Sequence, residues 1–446
     1  MLSATVHRVK RRSELSTHGV ENGQRPASPR GTGLPPASPA ARPLAPQGMR
    51  RTNLSLALRH LRTNGGRSRA QLAQDLGVSK ATASALVGEL GQRGLVRESE
   101  LHRTGGAGRP GLTVDPDGRH VAGVGLELNT DYLAAVAVDL RGRRLAETVR
   151  HLDIADLRPA AALDAAADLV GPLLKELRAD GVTPMGLALS TSGVIDHAAG
   201  VVTFAANLGW RDVPVVSEVR RRLGLADDIW VSVESANQLA AVAEHAAYGD
   251  PALTELLYVS GDEGVGAGII AHGRIITGAS GFSGEVGHLP LNPAGTTCRC
   301  GRTGCWETLV GFGAVVERAT SPGDPLRDHS VPLPRRIDEL RSRLAAADED
   351  AHAAIEQLVV DLTTGLSVGI DLLNPQVVVL GGWFAAVGDL IATPVARALE
   401  QRQRDFGSVV DLAVSRLGAL SSATGGAHFA LEPVLDDPLL APKAST

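Results

Sequence analysis

All three cysteines of this 446-residue chain fall between positions 298 and 305, inside the stretch GEVGHLPLNPAGTTCRCGRTGCWE that runs from Gly284 to Glu307. With His288 ahead of them, Cys298, Cys300 and Cys305 make a full tetrahedral set for zinc. A sphere closed by four protein ligands leaves no position for a catalytic water, so such a metal is structural. Gly301 and Gly304 let a short loop fold back around the ion, and residues 288–305 are expected to form that zinc loop. The alternative is three ordinary buried thiols, but it does not account for their confinement to eight positions. Three thiols that can all serve as ligands, with none left to pair, also fit a reducing cytoplasm.

Charge divides the chain in two. Residues 1–112 carry 18 Lys+Arg against 6 Asp+Glu, and the remainder carries 26 against 43. A basic front on an acidic body implies that the front meets a polyanion. No apolar run approaches the ~18 residues of a membrane span, and the basic start has no apolar segment behind it to make a secretory signal.

Residues 1–48 are rich in Pro, Arg, Ser and Gly and lack apolar periodicity, which predicts a disordered basic tail or a translation start at Met49. From 49 to 117 the pattern is that of a DNA-binding domain. Leu54, Ala57, Leu58 and Leu61 recur at helical spacing, and Gly65-Gly66 ends that helix. Ser68 with Gln71 makes a capping box for a second helix, and Ser79 caps a third. Two short helices around the turn Leu76-Gly77-Val78 form a helix-turn-helix, whose second helix enters the major groove. On it, Lys80, Thr82 and Ser84 are the candidate DNA contacts, Lys80 for phosphate. Leu95-Val96 and Leu112-Thr113-Val114 can pair around the wing HRTGGAGRPG. There Arg103 and Arg109 are candidates for the minor groove, where negative potential is enhanced.

Beyond residue 118 the strings GEVGH, CRCG and GCWE, with GVGAGIIAHGRIITGASGFSGEVGH, NLGW at 207–210 and NPQVVVLGG at 374–382, resemble the signature of the ROK family of repressors and sugar kinases. The resemblance implies an α/β protein: a winged helix-turn-helix followed, over 118–446, by a two-lobed actin-like ATPase fold with a structural zinc loop. It also implies that Asn207, Glu285, His288 and Glu307 bind a sugar. A dimer or tetramer on a palindromic operator follows from it as well.

Two departures from the kinase pattern point away from phosphoryl transfer. Where ROK kinases carry D-x-G-G-T, this chain reads Glu127-Leu128-Asn129-Thr130-Asp131. The glycines are gone, and a carboxylate stands where phosphate would approach. Where the kinases carry V-E-N-D-A-N, this chain reads Val233-Glu234-Ser235-Ala236-Asn237-Gln238, so Ala236 occupies the position of the general base. Losing a general base costs ~10²–10⁴-fold. The glycine run 261–268 is expected to be a hairpin turn rather than a phosphate loop. The expected function is a sugar-responsive repressor that needs zinc but no ATP. The alternatives are a sugar kinase, a kinase-repressor, or a zinc-containing scaffold without ligand.

Overall fold

The computed structural model describes residues 46–100, 112–226, 229–261, 264–279, 281–404 and 410–443. Serine caps set the first domain. α1 (Pro46–Asn64) begins three residues inside the segment read as tail. Ser68 accepts from the Gln71 amide while Gln71 reaches back, starting α2 (Arg69–Asp75). Ser79 accepts from the Thr82 amide, starting α3 (Lys80–Gln92). Leu54, Leu58, Leu61, Leu72, Leu90 and Leu95 close a core with 0% exposure. β1 (Val96–Glu100) pairs antiparallel with β2 (Leu112–Pro116), the stem of a wing. The wing itself, with Arg103 and Arg109, lies outside the described residues.

The body is one topology used twice. In the first lobe β3 (Val121–Leu128), β4 (Tyr132–Asp139) and β5 (Arg144–His151) form an antiparallel meander. α4 (Pro159–Ala179) then crosses to β6 (Thr183–Thr191), parallel to β3. A small antiparallel sheet follows, of β7 (Val194–Asp196), β8 (Val201–Ala205) and β9 (Trp210–Val213). α5 (Val215–Leu223) then leads to β10 (Trp230–Ser235), parallel to β6. The strand order is β10-β6-β3-β4-β5.

α6 (Ala236–Tyr248) passes to the second lobe, where β11 (Leu256–Gly261), β12 (Val265–Ala271) and β13 (Arg274–Ile275) repeat the meander. The described ends of the glycine run lie in β11 and β12, which pair antiparallel, in keeping with the expected hairpin. After the cysteine loop come α7 (Glu307–Val310), α8 (Phe312–Ala319), α9 (Leu333–Ala345) and α10 (Glu349–Leu373). β14 (Val377–Gly381), α11 (Gly382–Ala386), α12 (Gly388–Gln403) and β15 (Asp411–Val414) complete the lobe. The order β13-β12-β11-β14-β15 matches the first sheet, strand for strand. This is the two-lobed fold that the sequence motifs imply.

Residues 321–351, polar and proline-rich along the sequence, contribute Ile337, Leu340 and Leu344 to the second lobe's core. There Arg336 donates to the Leu326 carbonyl at 2.8 Å and stacks over Phe312. α10 is long and apolar enough to cross a membrane, although no single apolar run marked it, but half of its apolar window is buried in that core.

α13 (Ser421–Phe429) follows the last strand of the second lobe yet lies on β3, β4 and β6 of the first, while α6 lies on β11 and β12 of the second. The two helices cross with almost no side chain between them. A Cβ on Gly425 would stand 1.6 Å from the Leu239 carbonyl oxygen, and Cβ atoms on Gly123 and Gly125 would stand 2.0 and 1.9 Å from carbonyls of α13. After α14 (Glu432–Asp436), Pro438–Leu440 form a 3-10 turn and Ala441 is fully buried. The partners that hold this tail are on the winged helix. Arg93, at the end of α3, donates to the Leu439 carbonyl at 2.9 Å and the Ala441 carbonyl at 2.5 Å. Arg59 pairs with Glu432 and Asp436 at 2.6 and 2.8 Å.

Gly425→Val is expected to lower unfolding stability by at least about 2 kcal/mol, because the helices must separate to admit the side chain. Urea denaturation checks this, and an unchanged midpoint would mean that the crossing is slack.

Candidate functional site

In open sheets with parallel strands, ligands bind beyond the carboxyl ends of those strands. Here β6 and β10 end side by side at Thr191 and Ser235. Ser235 takes the N-cap position of α6 without a side-chain cap bond, so the first-turn amides of that helix are not claimed by it. From the opposite lobe, the loop after β13 reaches across. Gln238, buried at 1% exposure, donates its Nε2 to the Ser283 carbonyl at 3.1 Å. Gly281 of the same loop lies against His197, where a Cβ would sit 2.4 Å from Nε2. Two residues beyond Ser283, that loop presents Glu285.

His197 is itself anchored. Its Nδ1 lies 2.7 Å from an oxygen of Glu234, which is 6% exposed at the end of β10. The hydrogen bond to Glu234 holds the imidazole above its ordinary range, against the opposing effect of burial. Neither residue is conspicuous in the sequence, and 36 positions separate the imidazole from the Val233 carbonyl, 3.2 Å from the same Nδ1.

The cysteine loop gathers as its composition predicts. One ligand atom from each of His288, Cys298, Cys300 and Cys305 lies within 4.8 Å of the others. Cys298 Sγ is 3.8 Å from His288 Nδ1, and Cys300 Sγ is 3.6 Å from Cys305 Sγ. Edges of about 3.5–3.8 Å are what bond lengths of about 2.0–2.3 Å impose on a tetrahedron, so this donor set fits zinc in distance and in chemistry. Burial acts to raise the Cys300 thiol, but the amide and guanidinium of Arg302 outweigh it and bring it to about 6. The Pro290–Cys305 bridge and the bond from the Cys298 amide to the Arg302 carbonyl (2.7 Å) brace the same loop.

Glu285 and Glu307 flank His288. Oxygens of the two lie 3.8 Å from Nε2 and 4.0 Å from Nδ1 respectively. Glu285 is 43% exposed, while Glu307 is tied down: one oxygen lies 2.9 Å from Cys298 Sγ and the other accepts from the Val265 amide at 3.3 Å. The structure therefore brings Glu285, His288 and Glu307 together. Asn207 is half-buried in the 3-10 turn Ala206–Leu208, and no bond joins it to the three among the described residues.

The segment that replaces a phosphate loop is closed on itself. The Asn129 amide donates to the Tyr132 carbonyl at 3.0 Å, the Thr130 amide to Asn129 Oδ1 at 2.7 Å, and the Tyr132 hydroxyl to Glu127 at 3.1 Å. Amides already used this way are not available to an anion.

On α3, Lys80 is exposed. The Thr82 hydroxyl lies 2.9 Å from Ser79 Oγ, and Ser84 is half-buried. Ala81 and Ala85 are exposed beside them and were not singled out from the sequence, because small apolar residues carry no signal there.

Residues 123–432 match the ROK family model, and residues 52–105 match the MarR family model. The chain is similar to the xylose repressor of Bacillus subtilis (strain 168), with 24% identity over 389 residues that cover 87% of this chain and 97% of the repressor. It is similar also to the glucokinase of Halalkalibacterium halodurans, with 29% identity over 249 residues that cover 54% of this chain and 73% of the kinase. A solved ROK family transcriptional regulator, described as a homolog of the E. coli MLC protein, has the same fold. Its TM-score is 0.70 at 21% identity, covering 88% of this chain and 98% of that one.

Two measurements probe this geometry. Cys300→Ser should lose bound metal and melt at lower temperature, as read by elemental analysis and calorimetry; full metal content would remove the thiol from the ligand set. Because the His197 pKa is raised in the fold, its contribution is fully present below about pH 6.5 and fades as pH rises through the folded value. His197→Gln should therefore cost more stability near about pH 5.5 than near about pH 8.5, and an equal cost at both would mean that the charge of the pair contributes nothing.

Proposed function

The chain belongs to the ROK family, and on that premise we propose that it is a sugar-responsive repressor of transcription. The observation that carries the reading is a shared core. Leu54, Leu58, Leu61, Leu86 and Leu90 of the DNA-binding domain pack in one cluster with Ala134 and Val136 of β4, Ala423 and Ala427 of α13, and Val434 and Leu435 of α14. A winged helix built into a sugar-kinase fold in this way is coupled to the body by packing, so a change of lobe angle must move it.

The route is continuous. α6 begins at the cleft and crosses α13 at Gly425, and the last turn of α13 carries His428, whose Nδ1 lies 2.9 Å from an Arg62 guanidinium nitrogen of α1. A sugar held between Gln238 and Glu285 fixes the angle between the lobes, and α13 passes that angle to α1. The shift requires that the sugar bind the two conformations with different affinity.

In this reading Glu285, His288 and Glu307 receive sugar hydroxyls, with Asn207 at the margin, and zinc in the His288, Cys298, Cys300, Cys305 cluster sets the shape of the loop that presents them. Lys80 holds phosphate, Thr82 and Ser84 face the major groove, and Arg103 and Arg109 reach the minor groove. Exposed Ala81 and Ala85 suit thymine methyl groups. The protein works in the cytoplasm as a homodimer or homotetramer on a palindromic site. It is not an enzyme, since Ala236 offers no general base and the Asn129 and Thr130 amides are already spent within their own turn.

The test is selection of duplexes from a random pool by the full chain, then anisotropy titrations with and without sugars. An enriched sequence whose affinity changes with one sugar is expected. Failure to enrich any sequence, or indifference to every sugar, overturns the reading. ATP-dependent sugar phosphorylation above that of Glu285→Ala would establish the kinase instead. Lys80→Ala should weaken all duplexes alike and reduce the salt slope by about 1. Glu285→Ala should abolish the sugar response and spare DNA binding; Glu307 is a poorer probe because it also braces Cys298 and β12.

A further inference from the structure

A cavity of about 360 Å³ opens between α1 and α3 of the DNA-binding domain. Its floor is the domain's own core, with Leu54 at 0% and Leu86 at 5% exposure, so its walls hold a fixed shape. Its rim comes from both helices: Arg50 and Asn53 from α1, and Thr82, Ala85 and Glu89 from α3. Thr82 and Ala85 stand on the recognition helix, so the cavity is continuous with the face read above as meeting DNA.

The two α1 groups on that rim have bonding to spare. The Arg50 side chain is 60% exposed and pairs with Glu89 through one guanidinium nitrogen. A guanidinium carries five N–H donors, so that pair leaves others unspent. Glu89 does not depend on Arg50, because Arg93 donates to its other oxygen at 3.1 Å. Asn53 makes no side-chain hydrogen bond among the described residues, which leaves an amide with both donors and acceptor free. Arg51, one position on, turns away to Asp437 of the tail at 2.8 Å. A helix seated in the major groove is bordered by phosphates, and backbone contacts from neighbouring elements fix its register without reading sequence. A cation beside a spare amide suits a phosphate, which offers charge and several acceptor oxygens. The charge of this part of the chain agrees, with 18 Lys+Arg against 6 Asp+Glu over residues 1–112.

We propose that the first turns of α1 are a second DNA-contacting element, in which Arg50 and Asn53 hold the phosphate backbone bordering the groove that α3 enters. The inference rests on the DNA-binding half of the reading above and adds residues to it. When DNA arrives, the Arg50 guanidinium is shared between Glu89 and a phosphate, while Arg93 continues to balance Glu89.

The experiment is anisotropy titration of the full chain against a duplex enriched from the random pool, repeated from about 50 to 200 mM salt. Arg50→Ala is expected to weaken binding about tenfold at the low end and to reduce the salt slope by about 0.9, the value of one phosphate contact. Asn53→Ala should weaken binding with the slope unchanged, because it removes no charge. Arg50→Ala and Lys80→Ala together should lower the slope by about 1.8, since they release separate phosphates. Glu89→Gln should bind at least as tightly as the wild type, because the carboxylate that competes for the guanidinium is gone. Arg51→Ala removes the same charge one position away and should change the slope by less than half as much. A wild-type slope in Arg50→Ala overturns the proposal. So does an equal loss in Glu89→Gln, which would make the ion pair structural, or in Arg51→Ala, which would make the effect one of general charge. Loss of self-association in Arg50→Ala, read by sedimentation with DNA affinity intact, assigns the face to a second copy and overturns it too. Each of these leaves the repressor reading standing, whereas a wild-type chain that binds no DNA overturns both.

Discussion

Everything in this molecule hangs on two helices that cross backbone to backbone. α6 and α13 each follow the fifth strand of one lobe and pack against the sheet of the other, so neither lobe is complete alone. The contact is possible only because glycine stands at Gly425 on the helix and at Gly123 and Gly125 on β3, where an added methyl would fall within about 2 Å of a carbonyl oxygen. Close-packed interiors do not deform smoothly; they move between discrete arrangements. A pair of helices seated this tightly transmits a displacement instead of absorbing it.

The consequence reaches the DNA-binding domain through the far end of α13. Arg62 is half-buried there, and burial lowers its pKa, with Glu432 and Asp139 acting in the other direction. Its neighbour His428 is driven by burial down to about 3 and so stays neutral at any physiological pH. A neutral imidazole can accept from the guanidinium, so the link between α1 and α13 is a hydrogen bond that pH does not switch. The surrounding pairs, Arg59 with Glu432 and Asp436 and Arg51 with Asp437, are more exposed and contribute less individually. Together with the Arg93 bonds to tail carbonyls they make the winged helix a part of the body, with no free linker between them.

The elements legible in the sequence are those whose determinants sit close together along it. Ser68 and Gln71 are three residues apart, Cys298 to Cys305 span one loop, and the strands β3 to β5 follow one another across short turns; each yields to spacing and capping arguments. What stayed hidden depends on residues far apart. Arg93 meets a tail 346 and 348 positions away, His197 meets the end of β10, and Gln238 meets a loop 45 positions on. The tail after Asp436 reads as frayed because its apolar residues are few and aperiodic. It is ordered because the groove that holds Ala441 and Leu439 is made by α1 and α3, at the opposite end of the chain. The site was half legible: the acidic and metal-ligating residues stood out, while the glutamine that ties α6 to the facing loop looked like an ordinary helix position.

The residues that went missing relative to a kinase also explain why such a cleft suits a sensor. A phosphotransferase must release its ligand as product, so occupancy depends on turnover as well as on concentration. Here the turn at Asn129–Tyr132 spends the Asn129 and Thr130 amides on itself, and Ala236 leaves the start of α6 without a base. On the proposed reading the ligand is not converted and leaves only by dissociation, so its occupancy follows concentration at equilibrium. Under that condition the shift between lobe arrangements is set by the ratio of the ligand's affinities for the two states and nothing else. In the proposed repressor, losing the chemistry is therefore what would let lobe closure serve as a thermodynamic signal, with the α6–α13 crossing as its path to the recognition helix.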